Sequence, residues 1–249
     1  MHMTVQALVL RVTPYKETDA ILTLLSNSVG KMTVKVRGLR RRNSPMVAAC
    51  QLLAFAEFVL FENKGMYTVN ETQTIELFPQ LRKDIQKLAL GSYFAQVADV
   101  IAQEDDPNPE LLSLTLNCLY AISKLDLAEC RVKAVFELRC ACLAGYYPDL
   151  HGCYRCNHPF PDRFNIAEGR LECAECKDPD SEGLRLPLNP GALDALRYIC
   201  SCDKKRMFAF FAGEETLNRL EQISESYLAT QLERGFSTLD FYKSLGIQG

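Results

Sequence analysis

Over the first seventy residues the apolar positions recur with the period of a strand, and beyond residue 80 with the period of a helix. Val5 to Val12 is an apolar strand ending at Thr13-Pro14, and Ala20 to Ser26 is a second, closed by a turn at Asn27 to Gly30. Lys31 to Arg37 alternates strictly, with Met32, Val34 and Val36 on one face and Lys31, Thr33, Lys35 and Arg37 on the other. That pattern is a half-buried strand with a cationic outer face. Leu52 to Phe61 and Met66 to Glu71 read as a hairpin across Glu62-Asn63-Lys64-Gly65. Five short strands in so short a stretch predict a small closed barrel, because closure removes exposed edges.

The helical period predicts Leu81 to Gln103, Pro109 to Leu125 with proline at its start, and Ala128 to Ala144 with Val132, Phe136, Cys140 and Leu143 on one stripe. Gly145-Tyr-Tyr-Pro148 stops the third helix. Helices resume at Pro190 to Ile199, Glu214 to Arg234 and Asp240 to Leu245. The expected class is a multidomain α+β protein. Its segments are a barrel at 1–78, a helical domain in two parts at 79–148 and 184–249, and a cysteine-rich module inserted at 149–183. No internal repeat or low-complexity tract is visible.

That module carries the sharpest chemical signal. Cys153-Tyr-Arg-Cys156 and Cys173-Ala-Glu-Cys176 are two Cys-x-x-Cys knuckles separated by sixteen residues. At this spacing four thiolates can converge on one tetrahedral Zn²⁺, and a site closed by four sulfurs holds structure and does not activate water. His151 and His158 flank the first knuckle as alternative donors, and two unrelated pairs of buried cysteines are the plain alternative. Of the remaining cysteines, Cys140, Cys142, Cys200 and Cys202 sit among apolar helical residues and read as buried packing. Cys200-Ser-Cys202 is too closely spaced for a knuckle.

Composition describes an ordinary soluble chain of 249 residues, 48% hydrophobic and 24% charged. There is no apolar run of membrane-spanning length and no secretory leader pattern. Eleven cysteines without such a leader fit a reducing, cytoplasmic compartment. The net charge of −3 argues against nucleic acid until its distribution is read. Between Asp19 and Glu57 there is no acidic residue, and Lys31, Lys35, Arg37, Arg40, Arg41 and Arg42 make that stretch +6 against −9 for the rest. A localised polyanion site on an acidic body has this signature. Lys35, Arg37, Arg40, Arg41 and Arg42 are the candidate DNA-binding residues; a solvated loop without a partner is the alternative. Tyr15, Phe55, Phe58, Phe61 and Tyr67 are stacking candidates for bases, though most read as core. No phosphate-binding loop, nucleophile elbow or other catalytic constellation is present, so a non-enzymatic role is expected.

Ala7-Leu-Val-Leu-Arg-Val-Thr-Pro-Tyr-Lys-Glu-Thr-Asp-Ala20 forms an opening strand and turn, and Val36-Arg-Gly-Leu-Arg-Arg-Arg42 a basic segment. Gly145-Tyr-Tyr-Pro-Asp-Leu150 runs into the first knuckle, and Lys243-Ser-Leu245 stands near the C-terminus. Together these segments resemble the bacterial RecO family of recombination mediators, whose basic segment reads Ala-Arg-Gly-Ala-Arg-Arg where this chain has Leu39 in place of a small residue. The resemblance implies an N-terminal oligonucleotide-binding barrel (OB-fold), binding of single- and double-stranded DNA, strand annealing, and help in loading RecA onto DNA coated with single-strand-binding protein. It implies RecR and the acidic tail of single-strand-binding protein as partners, a nucleoid-associated location, and a tail site in the helical domain, for which Arg131, Lys133 and Arg139 are candidate cations. A zinc-ribbon adaptor that binds protein and not DNA is the competing reading; a hydrolase with an unreadable site is a third.

Overall fold

A computed structural model describes residues 2–125, 127–176 and 183–246. Residues 177–182, inside the expected zinc segment, and 247–249 lie outside the described residues. The chain divides into two compact units, one formed by residues up to 126 together with those from 236 onward, the other by 127–235.

The first unit is built on a closed five-stranded barrel of β1 (His2–Tyr15), β2 (Asp19–Ser26), β3 (Gly30–Val36), β4 (Phe55–Asn63) and β5 (Met66–Glu76), in the order β1-β2-β3-β5-β4. β1 serves two partners. Its first half pairs with β4 and its second with β2, with a register shift between Val9 and Arg11 where the strand turns the corner. All pairings are antiparallel except the closing one, where Val34 and Lys35 of β3 lie beside Tyr67 and Thr68 of β5. The alternation read in β3 holds: Met32, Val34 and Val36 point into a core with Val5, Val9, Leu22, Leu24, Phe58 and Leu60. Leu39 belongs to the same core and is only 7% exposed. β4 starts at Phe55, later than the pattern suggested, because Leu52 and Leu53 are in a turn.

α1 (Ile85–Ile101) is shorter than expected. Asp84 is extended and caps the helix by accepting from the N–H groups of Gln86 and Lys87, which separates Leu81–Lys83 as a single 3₁₀ turn. α2 (Pro109–Lys124) is capped by Asn108 and has proline in its first turn. The last helix of the chain packs on α1, and α1 also lies against β1 and β2. The barrel meets the segment that follows α1 at Gly30. Its φ is +83°, and a Cβ there would collide with the Asp106 carbonyl, while the N–H of Lys31 donates to the carbonyl of Gln103. Gly30→Ala therefore meets both a left-handed backbone and a fixed carbonyl. It should destabilise the protein by about 3 kcal/mol, read as a lowered urea midpoint; a loss below about 1 kcal/mol would show that the 104–108 loop yields.

In the second unit α3 (Glu129–Leu143), α4 (Pro190–Ser201) and α5 (Glu214–Gln231) pack pairwise. The expected stripe on α3 understates its burial, since every residue from Val132 to Leu138 is enclosed. Two of these are charged. Lys133 and Glu137 are both 0% exposed and 3.1 Å apart, one turn from each other. Lys133 also reaches Glu225 at 2.8 Å and Glu221 at 3.5 Å on α5, and Ser224 Oγ donates to Glu137 at 2.6 Å. Burial works to lower the Lys133 pKa, but the surrounding carboxylates win and hold it above its ordinary value.

Between α3 and α4 lies a four-stranded sheet of β6 (Asp149–Cys153), β7 (Arg163–Asn165), β8 (Arg170–Glu172) and β9 (Arg185–Pro187), in the order β6-β8-β7-β9. Its buried Glu172 accepts from Arg185 Nε at 2.8 Å and Asn165 Nδ2 at 2.9 Å. Arg197 of α4 ties the sheet down, donating to the carbonyls of Leu150, His151 and Pro159. Tyr227 and Gln231 of α5 do the same, the first stacking edge-on against Phe164 and the second donating to the carbonyls of Ile166 and Ala167. α6 (Ser237–Gly246) follows and returns the chain to the first unit.

Candidate nucleic-acid interface and metal centre

The segment leaving β3 determines where the positive charge is presented. Arg37 opens a run of turns, Gly38 adopts φ +63°, and Leu39 drops into the barrel core. The buried leucine anchors the loop between arginines that stay outside: Arg37, Arg40, Arg41 and Arg42 are all exposed. Asp19 fixes the loop from below. Its carboxylate accepts from the Gly38 N–H at 2.9 Å and pairs with Lys35 at 2.9 Å. The Gly38 N–H and Lys35 together hold the Asp19 pKa below its ordinary value. Arg40 N–H donates to the carbonyl of Thr18, and its guanidinium leans over the β1–β2 turn toward the carbonyls of Lys16 and Glu17 at 3.5 and 3.4 Å.

The expected cationic strand face is therefore largely neutralised. Lys35 faces Asp19, and its Nζ also lies 5.0 Å from the centre of the Tyr15 ring. Lys31 pairs with Asp99 of α1 at 3.5 Å and donates to its carbonyl at 2.7 Å, and Arg11 reaches the same carboxylate at 3.6 Å. Arg37, Arg41 and Arg42 make no ion pair among the described residues. The uncompensated charge sits on the loop, beside exposed Lys16 and half-exposed Tyr15. Of the other stacking candidates, Phe58 is wholly buried and Phe55 and Tyr67 are partly so; Phe61 is on the surface. A run of arginine guanidiniums with free forks can bind phosphate oxygens two at a time.

The cysteine knuckles converge. The sulfurs of Cys153, Cys156, Cys173 and Cys176 all lie within 4.8 Å of one another, and those of Cys156 and Cys173 are 3.8 Å apart. A tetrahedral ion with metal–sulfur bonds of about 2.3 Å requires sulfurs about 3.8 Å apart, so the cluster has the dimensions of such a site. Cys153 is enclosed at the end of β6 and its sulfur accepts from the N–H of Cys173 at 3.4 Å. Burial pushes its pKa up, but that N–H, those of Arg155 and Cys156, and the neighbouring thiol bring it down to about 6. Cys173 is raised to about 12 by burial and by the sulfurs beside it, and Cys176 to about 11 by Cys156, burial and Cys153. The protein alone favours one thiolate and opposes the next; a dication at the centre removes that opposition. The four cysteines can thus hold a metal ion. His151 is fully exposed and bonded to Asp149, and His158 accepts from the N–H of Phe160, so neither joins the cluster.

Two of the cations expected at a tail site are engaged within the unit, and the Nε of the third, Arg131, is buried without a hydrogen-bond partner among the described residues. Lys133 is sealed inside its carboxylate cage, and Arg139 donates to the carbonyls of Ile199 and Cys202. Arg131 lies over the Phe210 ring at 5.2 Å.

Two family profiles account for nearly the whole chain. The one described as Recombination protein O N terminal matches residues 1–78, and Recombination protein O C terminal matches 82–240. The chain belongs to the RecO family. A DNA repair protein RecO from Acetivibrio thermocellus is 35% identical over 231 residues, covering 92% of this chain and 91% of the relative. RecO proteins from Alkaliphilus metalliredigens and Bacillus pumilus are 27% and 28% identical, the first over 98% of this chain and all of the relative, the second over 89% and 86%. The first profile ends where the barrel does, so this RecO chain is a DNA repair protein whose N-terminal part is the five-stranded barrel. Among the described residues no helix is long and apolar enough to cross a membrane. Reading the sequence missed Asp19 and Asp99 as the partners that cancel two of the lysines. Asp19 carried a local signal, its place opposite Tyr15 across the β1–β2 turn, whereas Asp99 comes from a helix 68 residues beyond Lys31.

Proposed function

We propose that this RecO protein is a non-enzymatic recombination mediator that binds single- and double-stranded DNA through the arginine loop of its barrel, without reading sequence. On this reading it anneals strands and helps load RecA onto DNA covered by single-strand-binding protein, with RecR and the tail of that protein as partners. The observation that carries the reading is the set Arg37, Arg41 and Arg42, exposed and unpaired on a loop anchored by Leu39 and Asp19. Arg40 adds to them and Lys35 contributes least, because Asp19 offsets its charge. Contacts to phosphate carry no base information, so affinity should vary little with sequence. The metal is taken to be one structural Zn²⁺ on Cys153, Cys156, Cys173 and Cys176: a closed set of four sulfurs leaves no position for substrate.

Fluorescence anisotropy with labelled single strands, repeated across salt concentrations, tests this. Neutralising about four to five phosphates gives a slope of log affinity against log salt near −3. Replacing Arg40, Arg41 and Arg42 together by Ala should weaken binding and flatten that slope by about two units. Lys35→Ala should change it less than any one of the free arginines. Parent-like binding and annealing by the triple variant at every salt concentration would remove the loop as the DNA site. Absence of salt-dependent binding in the parent would favour the protein-adaptor reading.

A further inference from the structure

The second unit carries a cationic turn that the arginine loop leaves unaccounted for. Lys204–Arg206 form a single 3₁₀ turn after α4, and Lys204, Lys205 and Arg206 are all exposed. Hydrogen bonds fix the turn. The Asp203 carboxylate accepts from the Lys205 N–H at 2.8 Å. The Tyr198 hydroxyl of α4 donates to the Arg206 carbonyl at 2.8 Å, and that carbonyl also accepts from the Ala209 N–H. Met207, next in the chain, is 3% exposed. Three cations thus stand outside on a buried apolar anchor, as the arginines of the first unit stand beside Leu39. Phe210 is also held, with the Tyr198 ring 6.0 Å away and the Arg131 guanidinium 5.2 Å from its centre. Phe211 is not. It is 104% exposed, more than any other large apolar side chain among the described residues. Lys204, Lys205 and Arg206 make no ion pair among the described residues. The nearest acids in sequence are Asp203, which is engaged in the turn, and Glu214 and Glu215, which open α5.

We propose that Lys204, Lys205, Arg206 and Phe211 form a second contact for single-stranded DNA, the cations holding phosphates and the Phe211 ring stacking on a base. This contact presupposes that the protein binds and anneals DNA, and it gives the second of the two strands a place. Successive cations along one turn suit a chain of phosphates, each of which gives up counterions on binding. A phenyl ring that stands wholly in water offers a free face, and every base has a face to lay on it. An apolar peptide side chain needs a pocket to enter, and a ring clear of its neighbours does not make one. In a duplex the bases are already stacked on each other, so this contact takes unpaired strands, whereas phosphate contacts alone accept both forms. Annealing requires two strands on one protein. With one strand on the arginine loop and another on this turn, a single chain raises the effective concentration of each strand for the other.

The test uses the full-length protein and short single strands carrying 5-iododeoxyuridine, irradiated with long-wavelength ultraviolet light and mapped by peptide mass spectrometry. Crosslinks are expected at Phe211 as well as on the arginine loop, and the one at Phe211 should disappear when the same strand is offered as a duplex. Replacing Lys204, Lys205 and Arg206 together by Ala should remove the Phe211 crosslink, keep the one on the loop, and slow annealing of complementary strands by about tenfold. Phe211→Leu keeps the apolar bulk but not the plane and should slow annealing by about fivefold, while Phe211→Tyr should not. All of these side chains are exposed, so the melting temperature should stay parental. Crosslinks on the loop alone, with parental annealing by the 204–206 variant, would overturn the proposal and leave the arginine loop standing. Crosslinks at Phe211 alone would support the turn and remove the loop. A parent without salt-dependent DNA binding would overturn both. A turn that captured a labelled acidic peptide and no iodouracil strand would overturn the DNA contact here.

Discussion

Cys156→Ser should strip the protein of its metal and unfold the segment around β6 to β9 while leaving the barrel intact. Cys156 is the informative member of the set because it is exposed. Its replacement by serine leaves no cavity and disturbs no core packing, so any large effect must come through the metal. Structural zinc sites contribute apparent free energies of about 10–16 kcal/mol at neutral pH, and a site reduced to three thiolates loses most of that. The sheet around it is not equipped to stand alone. Three of its strands are three residues long, and the knuckle turns rest on sulfurs that repel each other once ionised. The expected readings are a zinc content falling from one per chain to near zero by atomic absorption, and new protease cleavage confined to residues 149–187. DNA affinity should stay unchanged, since the arginine loop lies in the other unit. Equal zinc content and an unaltered cleavage pattern would show that the four sulfurs do not share a metal.

Lys133→Met carries the second large effect. The lysine is completely enclosed, and Glu137, equally enclosed, has it as an ion-pair partner at 3.1 Å. Methionine fills nearly the same volume and leaves Glu137 as a buried carboxylate supported by Ser224 Oγ. Breaking a buried pair from one side costs about 3–5 kcal/mol, mostly the penalty of the uncompensated charge. The change should be visible as a fall of roughly 10 °C in the melting temperature of this unit. The double variant Lys133→Met, Glu137→Gln separates charge from packing. It removes the stranded carboxylate, and Glu221 and Glu225 remain partly exposed to water, so most of the loss should be recovered. High salt should not mimic the single variant, because a sealed pair is poorly screened. A loss below about 1 kcal/mol for Lys133→Met would mean that the cage is open to solvent.

The same lysine shows where reading the sequence stops. The barrel was legible because its signal is local: β3 announces its inside and outside residue by residue, and the turn at Lys64-Gly65 marks the hairpin. The four-sulfur cluster was legible because knuckle spacing is itself a geometric statement. Lys133 had only a weak local signature, Glu137 one turn on, which equally fits an exposed helix face. On a helix enclosed nearly all round, the charged residues no longer mark the outer face, and the carboxylates of α5 that complete the cage come from some ninety residues away. Lys31 failed for the same reason, since its acid comes from a helix and not from the stretch that looked uniformly basic, whereas the acid beside Lys35 stands at the edge of that stretch. Strands β7, β8 and β9 were missed on length alone: three residues cannot display a period of two.

The seating of α6 on α1 has a consequence for how the molecule is made. Phe236, just before α6, meets Tyr93 edge-on at 5.5 Å, and Thr238 donates to Gln96 Oε1, so the two partners are separated by more than 140 residues of chain. During synthesis the barrel, α1 and α2 leave the ribosome long before their final helix exists. The whole of the second unit is translated in between, and until then the surface around Tyr93 waits uncovered. Completion of the N-terminal unit is therefore timed by the last residues of the message, and a ribosome stalled within α5 would hold a protein whose barrel is folded but whose first unit is not yet closed.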